Sequence, residues 1–268
     1  MRFCRLLWRL GKFIVWTSLA FIDQSFCLLI LRRTTARDRA LWVHRWMKRF
    51  TKYMHVEAHY HGTPPIKGVL CCNHVSYLDI FILSANQPMT FVAKKEVSSW
   101  PLIGFLSRMG GTLFIDRKRK SEVFALAPQF NPIVDQEVVL VIFPEGTSTG
   151  GDRVMPFMSS LLEPAVQNKW PITSAWIGYT LTEGDPANDV CYWRDMTFFP
   201  HLLNLLSLKS IRVDVVYNAP LPPGLDRKQL AVEMHAQVEN VARERGYLKP
   251  QTVTPATLAE QRAGNSKQ

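Results

Sequence analysis

The chain has only five cysteines, and no Cys-x-x-Cys pair among them, which leaves little for a disulfide framework or a structural metal site. Cys71 and Cys72 are adjacent, and such neighbours rarely bridge, so reduced thiols in a protein facing the cytosol are the better reading. There is no Gly-x-Ser-x-Gly elbow, and no cysteine is placed as the partner of a histidine. Both absences disfavour a covalent intermediate on the enzyme. No internal repeat is visible. Acidic residues are scarce at the start: residues 1–52 hold 12 Lys/Arg against Asp23 and Asp38. That segment accounts for the whole net charge of +10, while the other 216 residues balance 20 basic with 20 acidic. Large hydrophobic residues thin out over 250–268, which reads as a flexible polar tail.

With 47% hydrophobic content, the 268 residues suffice for one substantial core with extensions. Residues 13–31 form a 19-residue apolar stretch interrupted by Asp23 and Gln24. A spanning helix needs about 20 apolar residues, and a central Asp costs roughly 2.5–3.5 kcal/mol, so spanning is possible but not compelled. Trp42, Val43, Trp46, Met47, Phe50, Tyr53 and Met54 then recur at helical spacing, with Arg45, Lys48, Arg49 and Lys52 on the other side. Such a helix suits an anionic lipid interface; the plainer alternative is a helix packed on the domain. The expectation is a two-helix membrane anchor over 1–54, monotopic more than spanning. Nucleic acid is a poor fit for this stripe, because its apolar residues form a continuous face.

Beyond residue 54, short apolar runs alternate with helical patterns, which predicts an α/β fold with a mixed, mostly parallel central sheet flanked by helices over 55–249. Strands are expected at 55–61, 68–72, 90–93, 113–115, 138–143, 172–179 and 211–217, with 138–143 apolar enough to be covered on both faces. A helix is expected from Ser99-Trp100-Pro101 to Gly110-Gly111. The 121–136 stretch looks helical but broken by Pro128 and Pro132. Asp226 can cap a final helix with Leu230, Met234, Val238 and Val241 inward. His55, His59 and His61 share one face of the first strand, and without further ligands at metal spacing they read as a solvated face.

Chemistry concentrates where apolar runs end. Asn73-His74-Val75-Ser76-Tyr77-Leu78-Asp79 places a carboxylate five residues after a histidine. On a continuous helix those positions lie about 140° apart, so the two side chains meet only if His74 sits on the strand-to-helix turn, with Ser76 as N-cap. A Ser76/Asp79 capping box alone also explains that spacing, but leaves Asn73-His74 without a role. If the pair does meet, Asp79 fixes the imidazole tautomer and His74 can take a proton from a hydroxyl. Gly111-Thr112-Leu113-Phe114-Ile115-Asp116-Arg117 and Phe143-Pro144-Glu145-Gly146-Thr147 deliver further polar groups to strand ends.

These blocks, with Pro171-Ile172, stand in the order found in the glycerolipid acyltransferase family, and the chain resembles its 1-acylglycerol-3-phosphate acyltransferases over roughly residues 55–220. The resemblance implies His74 as general base and Asp79 as its orienting partner. It implies Lys94 and Arg117 as ligands of an anionic head group, and Glu145, Gly146 and Thr147 as the acceptor-binding turn. It further implies acyl-CoA or acyl-carrier protein as donor, a lysophospholipid acceptor, no metal and no organic cofactor. The expected location is the cytoplasmic face of a bacterial inner membrane. Two segments depart from that pattern. Many relatives carry a Phe-Lys-x-Gly-like stretch after the glutamate, where this chain has Phe157-Met158-Ser159-Ser160. The segment 192–201 is similar to a bacterial subgroup that includes acyltransferases for lyso-ornithine lipid, an alternative acceptor. A non-catalytic lipid-binding protein with the same fold is the rival from another class.

Overall fold

The alternation of apolar runs and helices produces one seven-stranded sheet in the computed structural model, which describes residues 2–100, 102–116, 128–222 and 224–248. Two helices lead: α1 (Arg2–Leu29) and α2 (Ala36–Tyr53). The strands are β1 (Val56–His61), β2 (Val69–Cys72), β3 (Met89–Lys94), β4 (Leu113–Ile115), β5 (Val139–Ile142), β6 (Ile172–Thr180) and β7 (Ile211–Tyr217). Among them lie α3 (Leu78–Asn86), α4 (Ile103–Met109) and α5 (Phe198–Ser207), and α6 (Arg227–Glu244) closes the described chain. The spatial order is β1-β7-β6-β2-β5-β3-β4, and every pairing is parallel except β6 with β7.

β2 is the middle strand, and β2 and β5 are buried at every position, as expected for strands covered on both faces. Alternate side chains feed two cores. Leu70, Val139, Val141 and Phe91 face Leu78, Ile82, Leu205 and Leu206 of α3 and α5. Val69, Leu140 and Ile142 face Leu161, Leu162, Met234 and Val238 on the other side. Asp226 caps α6 as expected, forming a reciprocal box with Gln229.

Three local expectations are corrected. The helix expected to begin around Pro101 begins at Ile103, after a 3-10 turn over Lys95–Ser99, because Leu102 adopts φ +63° and cannot continue a helix. Residues 128–134 are helical despite Pro128 and Pro132. Phe130, Ile133 and Val134 are buried along that segment, and this packing outweighs the lost N–H groups. The N-cap of α3 is Tyr77 rather than Ser76. Residues 121–127 and the 250–268 tail lie outside the described residues.

The two leading helices face opposite ways. Ala40, Trp42, Phe50 and Met54 are buried, and Phe50 and Met54 share a core with α3, so the apolar face of α2 is turned to the domain rather than to lipid. α1 is inverted. Its buried residues include Arg9 and Gln24, whereas Phe3, Leu7, Trp8, Ile14, Val15, Leu19, Phe21, Ile22 and Phe26 point outward. The buried polar groups are used. Arg9 donates to the carbonyls of Leu206, Leu208 and Lys209 beyond α5, and Gln24 donates to the Met109 carbonyl at 2.9 Å. Trp42 Nε1 donates to the Ala20 carbonyl, and Asp23 accepts from both Arg45 and Trp46. Docking at both ends lays α1, about 42 Å long at 1.5 Å per residue, along the domain.

Replacing Arg9 with Ala strands buried carbonyls. A loss of about 1–3 kcal/mol is expected, read as a lower denaturant midpoint in detergent, together with faster proteolysis within α1.

Candidate functional site

The parallel strands β2, β3, β4 and β5 end at the same edge of the sheet, so Asn73, Lys94, Asp116 and Phe143 emerge together. That edge, outside the carboxyl ends of the strands, is where open α/β sheets bind ligands. The loop after β2 is pinned at its first residue. Asn73 accepts from Ile177 N–H at 2.8 Å and donates to Ile177 carbonyl at 2.9 Å, pairing with β6 as a peptide group would. His74 therefore starts from a rigid point. Its ring stacks on Phe143, with centroids 4.1 Å apart and planes 19° from parallel.

His74 and Asp79 do meet, with Nδ1 2.8 Å from Oδ2. Asp79 stands in the first turn of α3, fully buried, and the same Oδ2 accepts from the backbone N–H of Val75 at 2.9 Å and Ser76 at 3.0 Å. Oδ1 accepts from Tyr179 hydroxyl at 2.7 Å. Four donors converge on this one carboxylate at a helix N-terminus. An ionised carboxylate can only accept, so His74 Nδ1 carries the proton and Nε2 presents a lone pair. The capping reading and the orienting reading are both realised, because one carboxylate serves the turn and the imidazole together. Ser76 adds a lesser bond, its hydroxyl accepting from Leu78 N–H at 3.3 Å.

Glu145 lies behind this turn. It is buried, with Oε1 accepting from His74 N–H and Oε2 from Met155 N–H, each at 2.7 Å. Both oxygens thus face backbone, and Glu145 is not among the cavity-lining residues. Burial pushes its carboxyl up to about 7, opposed by the two N–H donors and reinforced by Asp79. Gly146 takes φ +71°, which lets its N–H reach back to Phe143 carbonyl and close the turn.

A cavity of about 400 Å³ opens at His74, with Lys94, Gly146 and Thr147 on its wall. It is mostly apolar and reaches α1 and α2, where Phe13, Trp16, Trp42, Trp46 and Phe50 line it. The structure therefore brings His74, Asp79, Lys94, Gly146 and Thr147 to one site, with Glu145 bracing it from behind; Arg117 lies outside the described residues. His61 is elsewhere, pairing with Asp214 on the far strands at 2.9 Å. Sequence reasoning missed Tyr179, which looked like one more apolar-strand residue, and the Phe143 platform. A tyrosine near the end of a buried strand was the available signal for the first.

Comparison with known proteins supplies the family. Residues 55–178 match the Acyltransferase family. The lyso-ornithine lipid O-acyltransferase of Rhodobacter capsulatus is 36% identical over 180 residues, 65% of each chain. That of Pseudomonas aeruginosa is 32% identical over 188 residues, 69% of this chain and 72% of its own. The chain belongs to the glycerolipid acyltransferase family. The chain is also similar to the 1-acyl-sn-glycerol-3-phosphate acyltransferase of Neisseria meningitidis, 28% identical over 186 residues, 65% of this chain and 69% of that one. Its fold matches the crystal structure of the 1-acyl-sn-glycerophosphate acyltransferase PlsC from Thermotoga maritima. The TM-score is 0.66 and the identity 17%, covering 91% of this chain and 97% of that one.

Because the raised Glu145 carboxyl ionises near 7 when folded and near its ordinary value when unfolded, the stability it contributes is present below about 4.5 and lost as pH rises through about 7. Denaturant midpoints measured from pH 5 to pH 8 are expected to fall in the wild type and to fall less in Glu145→Gln. Equal slopes would show that this carboxyl is not the group responsible.

Proposed function

We propose that this acyltransferase moves a fatty acyl group from a thioester, acyl-CoA or acyl-carrier protein, onto a hydroxyl of a membrane lysolipid. The observation that carries the proposal is the His74 Nδ1 to Asp79 contact of 2.8 Å beside an apolar cavity. With Nδ1 held by a buried carboxylate, Nε2 takes the hydroxyl proton as the oxygen attacks the thioester carbon. The new C–O bond forms, the C–S bond breaks, and the imidazolium returns its proton to the departing thiolate. The step uses no metal or organic cofactor and needs no covalent enzyme intermediate. The apolar wall suits an acyl chain, and Lys94, Gly146 and Thr147 lie on the polar side with His74. Arg117 is a further ligand on sequence grounds.

Two acceptors have specific support. Lyso-ornithine lipid is favoured by the names of the Rhodobacter and Pseudomonas relatives and by the 192–201 segment. The sn-2 hydroxyl of 1-acylglycerol-3-phosphate, giving phosphatidic acid, is favoured by the order of the motif blocks and by the Neisseria relative. Loss of His74 in His74→Ala should lower transfer about 10²–10⁴-fold, measured for both donors against both acceptors in one purified preparation. Undiminished transfer in that variant would sink the mechanism, and the acceptor turned over faster identifies the substrate.

The membrane reading rests on α1. Its outward face is a broad apolar surface, while Arg2, Arg5 and Arg9 tether one end to α5 and Gln24 tethers the other to Met109. A helix bound flat along a domain enters lipid sideways, so we place the protein on one leaflet, on the cytoplasmic face of a bacterial inner membrane. Replacing Phe21 and Ile22 together by Asp should release the protein from anionic vesicles in a flotation assay, with His74 and Asp79 untouched.

A further inference from the structure

The cavity at His74 has an uneven charge lining. Arg49, Lys94 and Arg194 face it, whereas no Asp or Glu is among its described lining residues. Arg49 belongs to α2 and lies over Trp46, 5.0 Å from the ring centre. Arg194 is different, because its segment is laced directly to the reactive turn. Tyr192 N–H donates to the carbonyl of Val75, the residue after His74, at 2.8 Å. Tyr192 carbonyl accepts from Ser148 hydroxyl at 2.5 Å, and Thr149 N–H donates to His74 carbonyl at 3.0 Å. The chain around 192–194 thus moves with His74 and with the 148–149 loop.

Next along, Trp193 is fixed from two sides. Its indole N–H donates to Ala187 carbonyl at 2.9 Å, and its ring lies against Gly150 so closely that a Cβ there would sit 2.6 Å from a ring carbon. On this plate lies the Arg194 guanidinium, 3.8 Å from the ring centre. Arg194 adopts φ +54°, a conformation that non-glycine residues take up only where the surroundings impose it. It has no ion pair among the described residues. Asp152, an acid within its electrostatic reach, is bonded to Arg153 at 2.8 Å. A stacked guanidinium keeps its edge N–H groups free for a two-pronged contact with a carboxylate or phosphate. The loop after Glu145 contributes no cation at Met158 or Ser159; Met158 packs against the core and donates its N–H to Pro144 carbonyl.

We propose that Arg194, laid on Trp193 beside the His74 turn, binds the oxyanion of the acceptor head group and so helps to set which lysolipids are accepted. The inference rests on the acyl-transfer reading for the word acceptor. The chemistry recognised is a head-group phosphate or carboxylate, which a planar guanidinium grips in the same way.

The test compares wild type, Arg194→Gln and Arg194→Lys as full chains in nonionic detergent. Equilibrium binding is measured for lysophosphatidate, lyso-ornithine lipid and an uncharged monoacylglycerol, and KM and kcat are measured in parallel. Arg194→Gln should weaken the cognate charged lysolipid about tenfold to a hundredfold, leave the monoacylglycerol unaffected, and raise acceptor KM while kcat holds. Arg194→Lys should fall between, since it keeps the charge but loses the flat stack and the fork. Whichever charged lysolipid loses more reveals whether phosphate or carboxylate is read. Equal affinity of wild type and Arg194→Gln for both charged lysolipids would overturn the proposal, as would an equal loss for the uncharged one. Because binding is read without turnover, a wild type that binds through Arg194 yet transfers nothing would sink the reaction and keep the site. Normal transfer with an unchanged KM in Arg194→Gln would do the reverse.

Discussion

One buried carboxylate organises the reactive end of this molecule. Asp79 has no solvent contact and satisfies four donors, two from the backbone of the turn, one from Tyr179 and one from the imidazole. An anion so buried is tolerated only with such partners, and their removal would leave it uncompensated. The same bonds that make Asp79 affordable therefore fix the path of residues 74–76 and the tautomer of His74. Glu145 braces the turn through the His74 N–H, and its burial, with Asp79 adding to the effect, raises its own carboxyl. Two carboxylates hold one short loop, and the imidazole between them is preorganised before any ligand arrives.

The sheet explains why these groups meet at all. Parallel pairing of β2, β3, β4 and β5 sends their carboxyl ends to one edge, and β6, parallel to β2, brings Tyr179 past the first turn of α3. The antiparallel joint between β6 and β7 lies away from β5, β3 and β4, and reverses the two strands at the other end of the order, β7 and β1. The antiparallel half serves the core; the parallel half carries the chemistry.

The leading helices extend that site with a broad apolar surface. α1 turns its arginine and glutamine inward and its aromatic and aliphatic residues outward, the reverse of a helix on a water-soluble surface. α2 fills the space behind it, and the cavity that begins at His74 ends among the side chains of both. In the proposed reaction this apolar space would hold the acyl chain, which gives the helices a role beside the domain. Arg194 and Lys94 line the same cavity among polar neighbours from the turns, so one space combines an apolar depth with cationic groups.

Much of this was legible in the residues themselves. Alternating apolar runs gave the order of strands and helices, Asp226 announced the last helix, and the five-residue gap from His74 to Asp79 required a turn between them. The sequence by itself determined the family, the residues able to move a proton and the basic, apolar character of the first 54 residues, because each is a matter of local composition and spacing. Only the tertiary structure decided that α2 faces inward and α1 outward, since both helices carry apolar stripes and nothing local says which stripe meets the domain. It alone supplied Tyr179 to Asp79 across 100 residues, put Glu145 behind the turn and laid Arg194 on Trp193. Those contacts join segments far apart in the chain, and proximity of that kind arises only once the sheet has closed.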